Sequence, residues 1–103
     1  MRRLVLAISA LLVSACGAVD AHRVAFSPAR PPTTSVELVE GTPTRQFTET
    51  GIVQAIGHGT ANREDVTKAL AQEARRMGCD AVVRLRVDEG AAMAHAIGVC
   101  AVW

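Results

Sequence analysis

The sequence predicts an α+β domain: one helix packed on a four-stranded, largely antiparallel sheet, in the order β-β-α-β-β. The helix is indicated by apolar residues that recur at spacings of three and four between Arg63 and Met77. The strands are indicated by alternating, β-branched runs on both sides of that helix. A length of 103 residues fits one small domain.

Two strands are predicted before the helix. The first covers residues 36–39, and a Gly-Thr-Pro run ends it. The second covers residues 47–56 and leads into a Gly-His-Gly-Thr loop at residues 57–60. The glycine spacing in that loop matches neither a dinucleotide fingerprint nor a P-loop, so we predict no phosphate site there.

The helix has clear start and stop signals. Asn62 is a candidate N-cap, and Gly78 stands where a left-handed residue commonly ends a helix. One face is apolar and should be buried; its members are Val66, Ala69, Leu70, Ala74 and Met77.

The last two strands form a predicted hairpin. Residues 81–87 alternate, residues 88–90 make the turn, and residues 93–103 return antiparallel. If Val83 and Leu85 face the helix, the other face exposes a strip made of Arg84, Arg86, Ile97, Val99 and Trp103. That strip is either a solvated face or a surface that contacts a partner, and the sequence leaves both interpretations open.

Composition limits the core and the class of partner. Half of the residues are hydrophobic but only 3% are aromatic, so the core must be aliphatic, and a covalent cross-link would help to stabilise it. Without Arg2 and Arg3, which fall in a candidate signal segment, nine basic and ten acidic side chains remain. This balance gives no electrostatic footprint for nucleic acid.

The N-terminus has the features of an export signal. Residues 1–15 contain two arginines, a short apolar run and small residues. The run Val13-Ser14-Ala15-Cys16-Gly17 resembles the lipobox of bacterial lipoproteins, which implies lipidation of Cys16 and, from Gly17, an outer-membrane location. The alternative is an ordinary signal peptide with an incidental cysteine.

Residues 16–35 are predicted to be a lipid anchor followed by a proline-containing tether, and residues 36–103 the periplasmic domain. Within the tether, Val24 and Phe26 alternate and offer a short edge strand as the alternative.

Two cysteines remain in the domain. In an oxidising compartment, Cys79 and Cys100 favour a disulfide, since the two positions come almost opposite each other if the hairpin turns near Gly90. The alternative is a pair of buried free thiols.

No cofactor, metal or catalytic site is predicted. His22, His58 and His95 lie in different elements, and none has a second ligand at short spacing. No nucleophile is recognisably paired with a base, so we predict that the protein is not an enzyme and that it has no small-molecule substrate.

Three runs resemble a known family: GIVQAIG at residues 51–57, ALAQEARRMGCDAVVRLRV at 69–87 and AIGVCAVW at 96–103. They are similar to the RcsF lipoproteins and to the related YbjQ-like domains. The resemblance implies a helix-on-sheet domain anchored in the outer membrane and a role in sensing envelope stress. This domain has two cysteines where RcsF has four, and its tether is shorter.

We therefore expect a non-enzymatic outer-membrane lipoprotein whose periplasmic domain binds a protein partner, with stress signalling as the implied role. The alternatives are a structural envelope lipoprotein without signalling and a membrane-tethered metal-binding module.

Overall fold

The structure, a computed structural model, describes residues 17–103. The predicted signal segment and the predicted lipidation of Cys16 lie outside the described residues. The elements in chain order are β1 (Val19–Ala25), β2 (Glu37–Leu38), β3 (Thr48–His58), α1 (Arg63–Met77), β4 (Ala81–Glu89) and β5 (Met93–Val102). Within residues 17–103, no helix is long and apolar enough to cross a membrane.

The five strands form one mixed sheet in the order β1-β3-β5-β4-β2. Every neighbouring pair is antiparallel except β2 and β4, which are parallel. The α+β class with a single helix is confirmed for the described part of the chain. The count of four strands is wrong, because β1 adds a fifth.

Strand β1 lies in the segment that the sequence analysis assigns to the tether. It pairs with β3 along its whole length, from Val19 opposite Gly57 to Ala25 opposite Gly51. The edge-strand alternative is therefore the correct interpretation, and the strand begins earlier than Val24. The sequence indicates β1 only weakly, because one face of this strand at most is covered and a short, largely exposed strand carries a weak apolar pattern.

The proline-containing segment after β1 packs on the domain. Thr33 N–H donates to the Arg75 carbonyl at 2.9 Å, and Thr33 Oγ1–H donates to the Cys79 carbonyl at 2.7 Å. The chain thus passes the C-terminal end of α1 on its way from one edge of the sheet to the other.

Helix α1 begins and ends as predicted. Asn62 Oδ1 accepts a hydrogen bond from Asp65 N–H at 3.0 Å, and Asp65 Oδ2 accepts one from Asn62 N–H at 2.9 Å. This capping box satisfies two amide donors at the helix start. Gly78 has a φ of 81°, a left-handed conformation that glycine adopts at little cost, and it ends the helix.

The core between α1 and the sheet is aliphatic, as the composition predicts. Leu70 is its largest fully buried side chain. Because the side chains are small, the helix must lie close to the sheet. Gly57 permits this, since a Cβ there would lie 2.8 Å from Val66 Cγ1. The other core members are Val53, Ala55, Ala74, Cys79, Val82, Leu85, Ala94, Ala96 and Cys100.

A β-bulge in β4 reverses part of the predicted alternation. The register shifts between Val83 and Arg86, and Arg84 has a φ of 52°. As a result Val82 and Leu85 both join the core under α1, whereas Val83 faces the opposite side. The prediction that Val83 faces the helix is wrong, because one extra residue in a strand inverts the face of every residue before it.

Leu70→Ala should lower the free energy of unfolding by about 2–5 kcal/mol, because it leaves a cavity at the centre of the core. Gln72→Ala, on the exposed side of the same helix, should change it by less than about 0.5 kcal/mol. Urea unfolding followed by circular dichroism measures both. Equal losses for the two variants would contradict the assignment of the buried face.

Candidate functional site on the open face of the sheet

The open face is the side of the sheet opposite α1. Its side chains lie in cross-strand rows, because residues paired across antiparallel strands point to the same side. The rows are Val24–Ile52–Val99, His22–Gln54–Ile97–Arg86 and Asp20–Ile56–His95–Asp88.

The first row exposes apolar surface. Val24 is 61% exposed and Ile52 is 36% exposed. Further along the two central strands, Ile56 and Ile97 are only half-buried. A solvated antiparallel face normally carries polar residues at such positions. Four β-branched apolar side chains on one uncovered face therefore depart from the ordinary pattern.

One corner of this face is already covered. Ala81, Val83 and Ala101 are fully buried in a second small cluster, against which Val39, Phe47 and Val99 pack. Residues 39–47 thus form a partial second layer over the start of β4. The open face proper consists of β1, β3, β5 and the end of β4.

The predicted surface strip is only partly brought together. Arg86 and Ile97 are direct register partners, and Val99 adjoins Ile52 one strand away. Arg84 and Trp103 belong to other environments, as their contacts show.

Arg84 lies at the bulge and is held there. Its backbone N–H donates to the Gly41 carbonyl at 2.9 Å, its guanidinium pairs with Glu49, and its Nε–H lies 3.4 Å from Thr42 Oγ1. A left-handed conformation is costly for a residue with a Cβ, and these contacts offset that cost. Its role in the structure is to hold the bulge.

Trp103 follows the end of β5. Its backbone N–H donates to Asp80 Oδ2 at 2.9 Å, and the Arg45 guanidinium carbon lies 4.0 Å from the ring centroid. This cation–π contact lies at the end of the sheet that is remote from Met93.

The three histidines all fall on strands of the open face. His95 Nε2 lies 3.3 Å from Gln54 Oε1, and His22 is the register partner of Gln54 on the other side. His58 lies at the end of β3. Among the described residues, no three His, Cys, Asp or Glu side chains are grouped so as to hold a metal ion.

Cys79 and Cys100 lie together under α1. The structure places their sulfurs at disulfide-bonding distance, with the Cα atoms 5.4 Å apart and both residues fully buried. Thr50 Oγ1–H donates to Cys100 Sγ at 3.0 Å. The register argument for this pair is wrong, because Cys79 precedes β4 and the partner of Cys100 is Val82. The covalent bond itself stays a prediction.

Sequence reasoning missed Val24, Ile52 and Ile56 as candidate contact residues. Ile52 and Ile56 have the spacing of residues on one strand face. The sequence thus predicts that they share a face, but it does not show that this face is uncovered. Val24 needed the pairing of β1 with β3 to join them.

Comparison with known proteins identifies the family. A model of the family YbjQ_1, described as "Putative heavy-metal-binding", matches residues 35–102. The chain belongs to this family. The match begins after β1, so the YbjQ-like part comprises α1 and the other four strands. A search of curated proteins and a search of solved structures each give no significant match.

The family description implies a metal, and the described residues do not fit one. Two imidazoles flank Gln54, and a structural metal site needs more ligands than two. In the predicted disulfide, Cys79 and Cys100 would offer no free thiolate. We therefore assign no step to a bound metal.

Two substitutions of Arg84 test the positive φ at the bulge independently of the ion pair. Arg84→Gly and Arg84→Ala both remove the contact with Glu49, but only glycine adopts a positive φ without a steric penalty. We expect the glycine variant to be more stable than the alanine variant by about 1 kcal/mol. Thermal unfolding of the two proteins compares them directly, and a more stable alanine variant would contradict the bulge.

The Cys79–Cys100 bond should be detectable by intact-mass analysis. Non-reduced protein should be lighter than reduced protein by the two thiol hydrogens and should resist alkylation. Because the bond closes a sequence separation of 21 residues, its reduction should cost about 3 kcal/mol of stability. A Cys79→Ala/Cys100→Ala variant is the control and should not respond to reductant. Full alkylation of the non-reduced protein would show that the bond is absent.

Proposed function

We propose that this chain is a lipid-anchored envelope protein whose YbjQ-like domain binds a protein partner through the open face of the sheet. The observation that carries the proposal is the apolar row Val24–Ile52–Val99, in which Val24 and Ile52 are exposed and Val99 continues the row to the covered corner of the sheet face. A single solvent-facing apolar side chain is ordinary, whereas a contiguous row across an edge strand and its two neighbours is typical of a contact surface.

The surroundings of the row resemble the anatomy of an interface. The next row is mostly polar: it contains His22, Gln54 and Arg86 beside Ile97, and Asp88 lies beyond Arg86 on β4. An apolar centre with a polar rim favours a folded protein as the occupant over a small ligand. A second copy of the chain is an outcome that the test below distinguishes.

The location rests on the sequence alone. The run from Val13 to Cys16 supports lipidation, and Gly17 supports an outer-membrane, periplasm-facing location. An RcsF-like role in stress signalling is the finer form of this proposal. A structural role without signalling is its alternative, and the identity of the partner separates the two.

A photo-crosslinking amino acid at Ile52 should capture a discrete partner in cells. The same amino acid at Gln72, on the exposed side of α1, is the matched control and should capture none. The captured protein, identified by mass spectrometry and purified, should bind the domain, and Ile52→Glu should weaken that binding about tenfold or more.

Three results contradict partner binding through this face. They are equal capture at both positions, undiminished binding by Ile52→Glu, and capture of only a second copy of the chain. An unchanged melting temperature for Ile52→Glu ensures that lost binding reflects the surface and not the fold.

Lipidation has a test of its own. Cys16→Ser should release the protein from membranes or block its maturation, because the acceptor thiol is gone. Cell fractionation and mass spectrometry of the mature protein measure this. A variant that stays with membranes and matures to the same mass would contradict the lipoprotein assignment.

Metal binding is the second candidate, favoured by the description of the family. Titration of the purified domain with zinc and with copper, before and after reduction, tests it. Stoichiometric binding that His22→Ala or His95→Ala removes would favour this function over partner binding.

A further inference from the structure

We infer that one end of the domain, the anchor end, rests on the surface of the phospholipid bilayer that holds the lipid. The anchor end consists of residues 17–18, 58–60 and 90–93. This inference rests on the proposed lipidation of Cys16 and specifies how the domain sits once it is anchored.

The three segments of the anchor end meet in the fold. The N–H of His58 donates to the Ala18 carbonyl at 2.9 Å, and the N–H of Gly59 donates to the Ala92 carbonyl at 3.3 Å. The start of the described chain, the loop before α1 and the turn between β4 and β5 therefore share one end of the sheet.

Chain length brings this end to the lipid. β1 begins at Val19, three residues after Cys16. Three extended residues span roughly 10 Å at most. Since β1 is hydrogen-bonded into the sheet, no tether separates the domain from the anchor, and the anchor end must lie at the level of the lipid headgroups.

The chemistry of the anchor end suits that position. Its three segments contain no Asp, Glu, Lys or Arg. Ala18, Ala91 and Ala92 are exposed, and Met93 is 51% exposed. Contact with a bilayer surface through such residues desolvates no carboxylate, ammonium or guanidinium group.

The charged side chains near this end lie on the adjoining strand ends and on the first turns of α1, which include the exposed Glu64 and Lys68, and some of them make hydrogen bonds within the fold. Glu89 Oε1 accepts from Arg63 N–H at 3.3 Å, and Asp65 belongs to the capping box. Asp20 and Asp88 lie on the open face, two strand positions back from the tips. An anionic bilayer therefore meets loop tips without carboxylates first.

The opposite end of the sheet carries several charged side chains. Arg45 and Asp80 both contact Trp103 there, and Arg75 and Arg76 occupy the last turn of α1. The far end thus carries charged side chains, whereas the segments of the anchor end contain no Asp, Glu, Lys or Arg. This difference is the one expected of a domain that stands upright on a membrane. In this orientation the open face stands away from the lipid and is free for a protein partner.

The native tryptophan makes a sharp test possible. Trp103 and Met93 are at opposite ends of β5, about 30 Å apart at the usual rise of a strand. Wild-type protein carries its only tryptophan at the far end, and a Met93→Trp/Trp103→Phe variant carries it at the anchor end.

Both proteins, purified from bacterial membranes with the lipid attached, are reconstituted into phosphatidylethanolamine and phosphatidylglycerol vesicles. A matched set of vesicles contains phospholipids brominated near the top of their acyl chains, which quench nearby indoles. The Met93→Trp indole should lose fluorescence in the brominated vesicles and shift to the blue. The wild-type Trp103 should do neither.

The outcomes separate this inference from the proposed function. Protein that floats with vesicles but shows no quenching at position 93, or equal quenching at both positions, overturns the membrane-resting end and leaves lipidation standing. Protein that carries no lipid overturns both. If the Met93→Trp variant unfolds, Ala92→Trp in the same background gives the same comparison at a neighbouring exposed site.

Discussion

The close approach of α1 to the sheet is the constraint on which this structure depends. Leu70 and Val66 are large by the standard of this core, and alanine and glycine occupy much of the sheet surface beneath them. Small side chains bury little area each, so stability requires short distances between layers. The absence of a side chain at Gly57 makes room for Val66. The Cys79–Cys100 pair fills core space that larger aliphatic side chains would otherwise have to fill.

The bulge at Arg84 decides which surface is left for function. Before it, Val83 turns away from the helix and needs cover, which Val39 and Phe47 supply. After it, Leu85 turns inward and Arg86 outward. One backbone irregularity therefore divides the outer side of the sheet into a covered corner and an open face, and the candidate partner surface is confined to the latter.

Strand β1 links the fold to its setting. It lies outside the family match, and it provides both the edge of the open face and the direct connection to the candidate anchor. A YbjQ-like domain with a free N-terminal tether could reach away from the membrane. With Val19 paired to Gly57, lipid on Cys16, as proposed, would hold the same domain beside the membrane, and strand pairing would then set the position of the proposed partner surface relative to the lipid.

Local sequence determined much of this protein. The caps Asn62 and Gly78, the apolar stripe with Leu70 and the hairpin turn near Gly90 all follow from short-range rules of period and turn chemistry. Tertiary structure decided the rest: the strand character of β1, the bulge at Arg84 and the meeting of Val24 with Ile52. These depend on hydrogen bonds between distant segments, and no local pattern encodes the partner of an edge strand or the residue at which a register shifts.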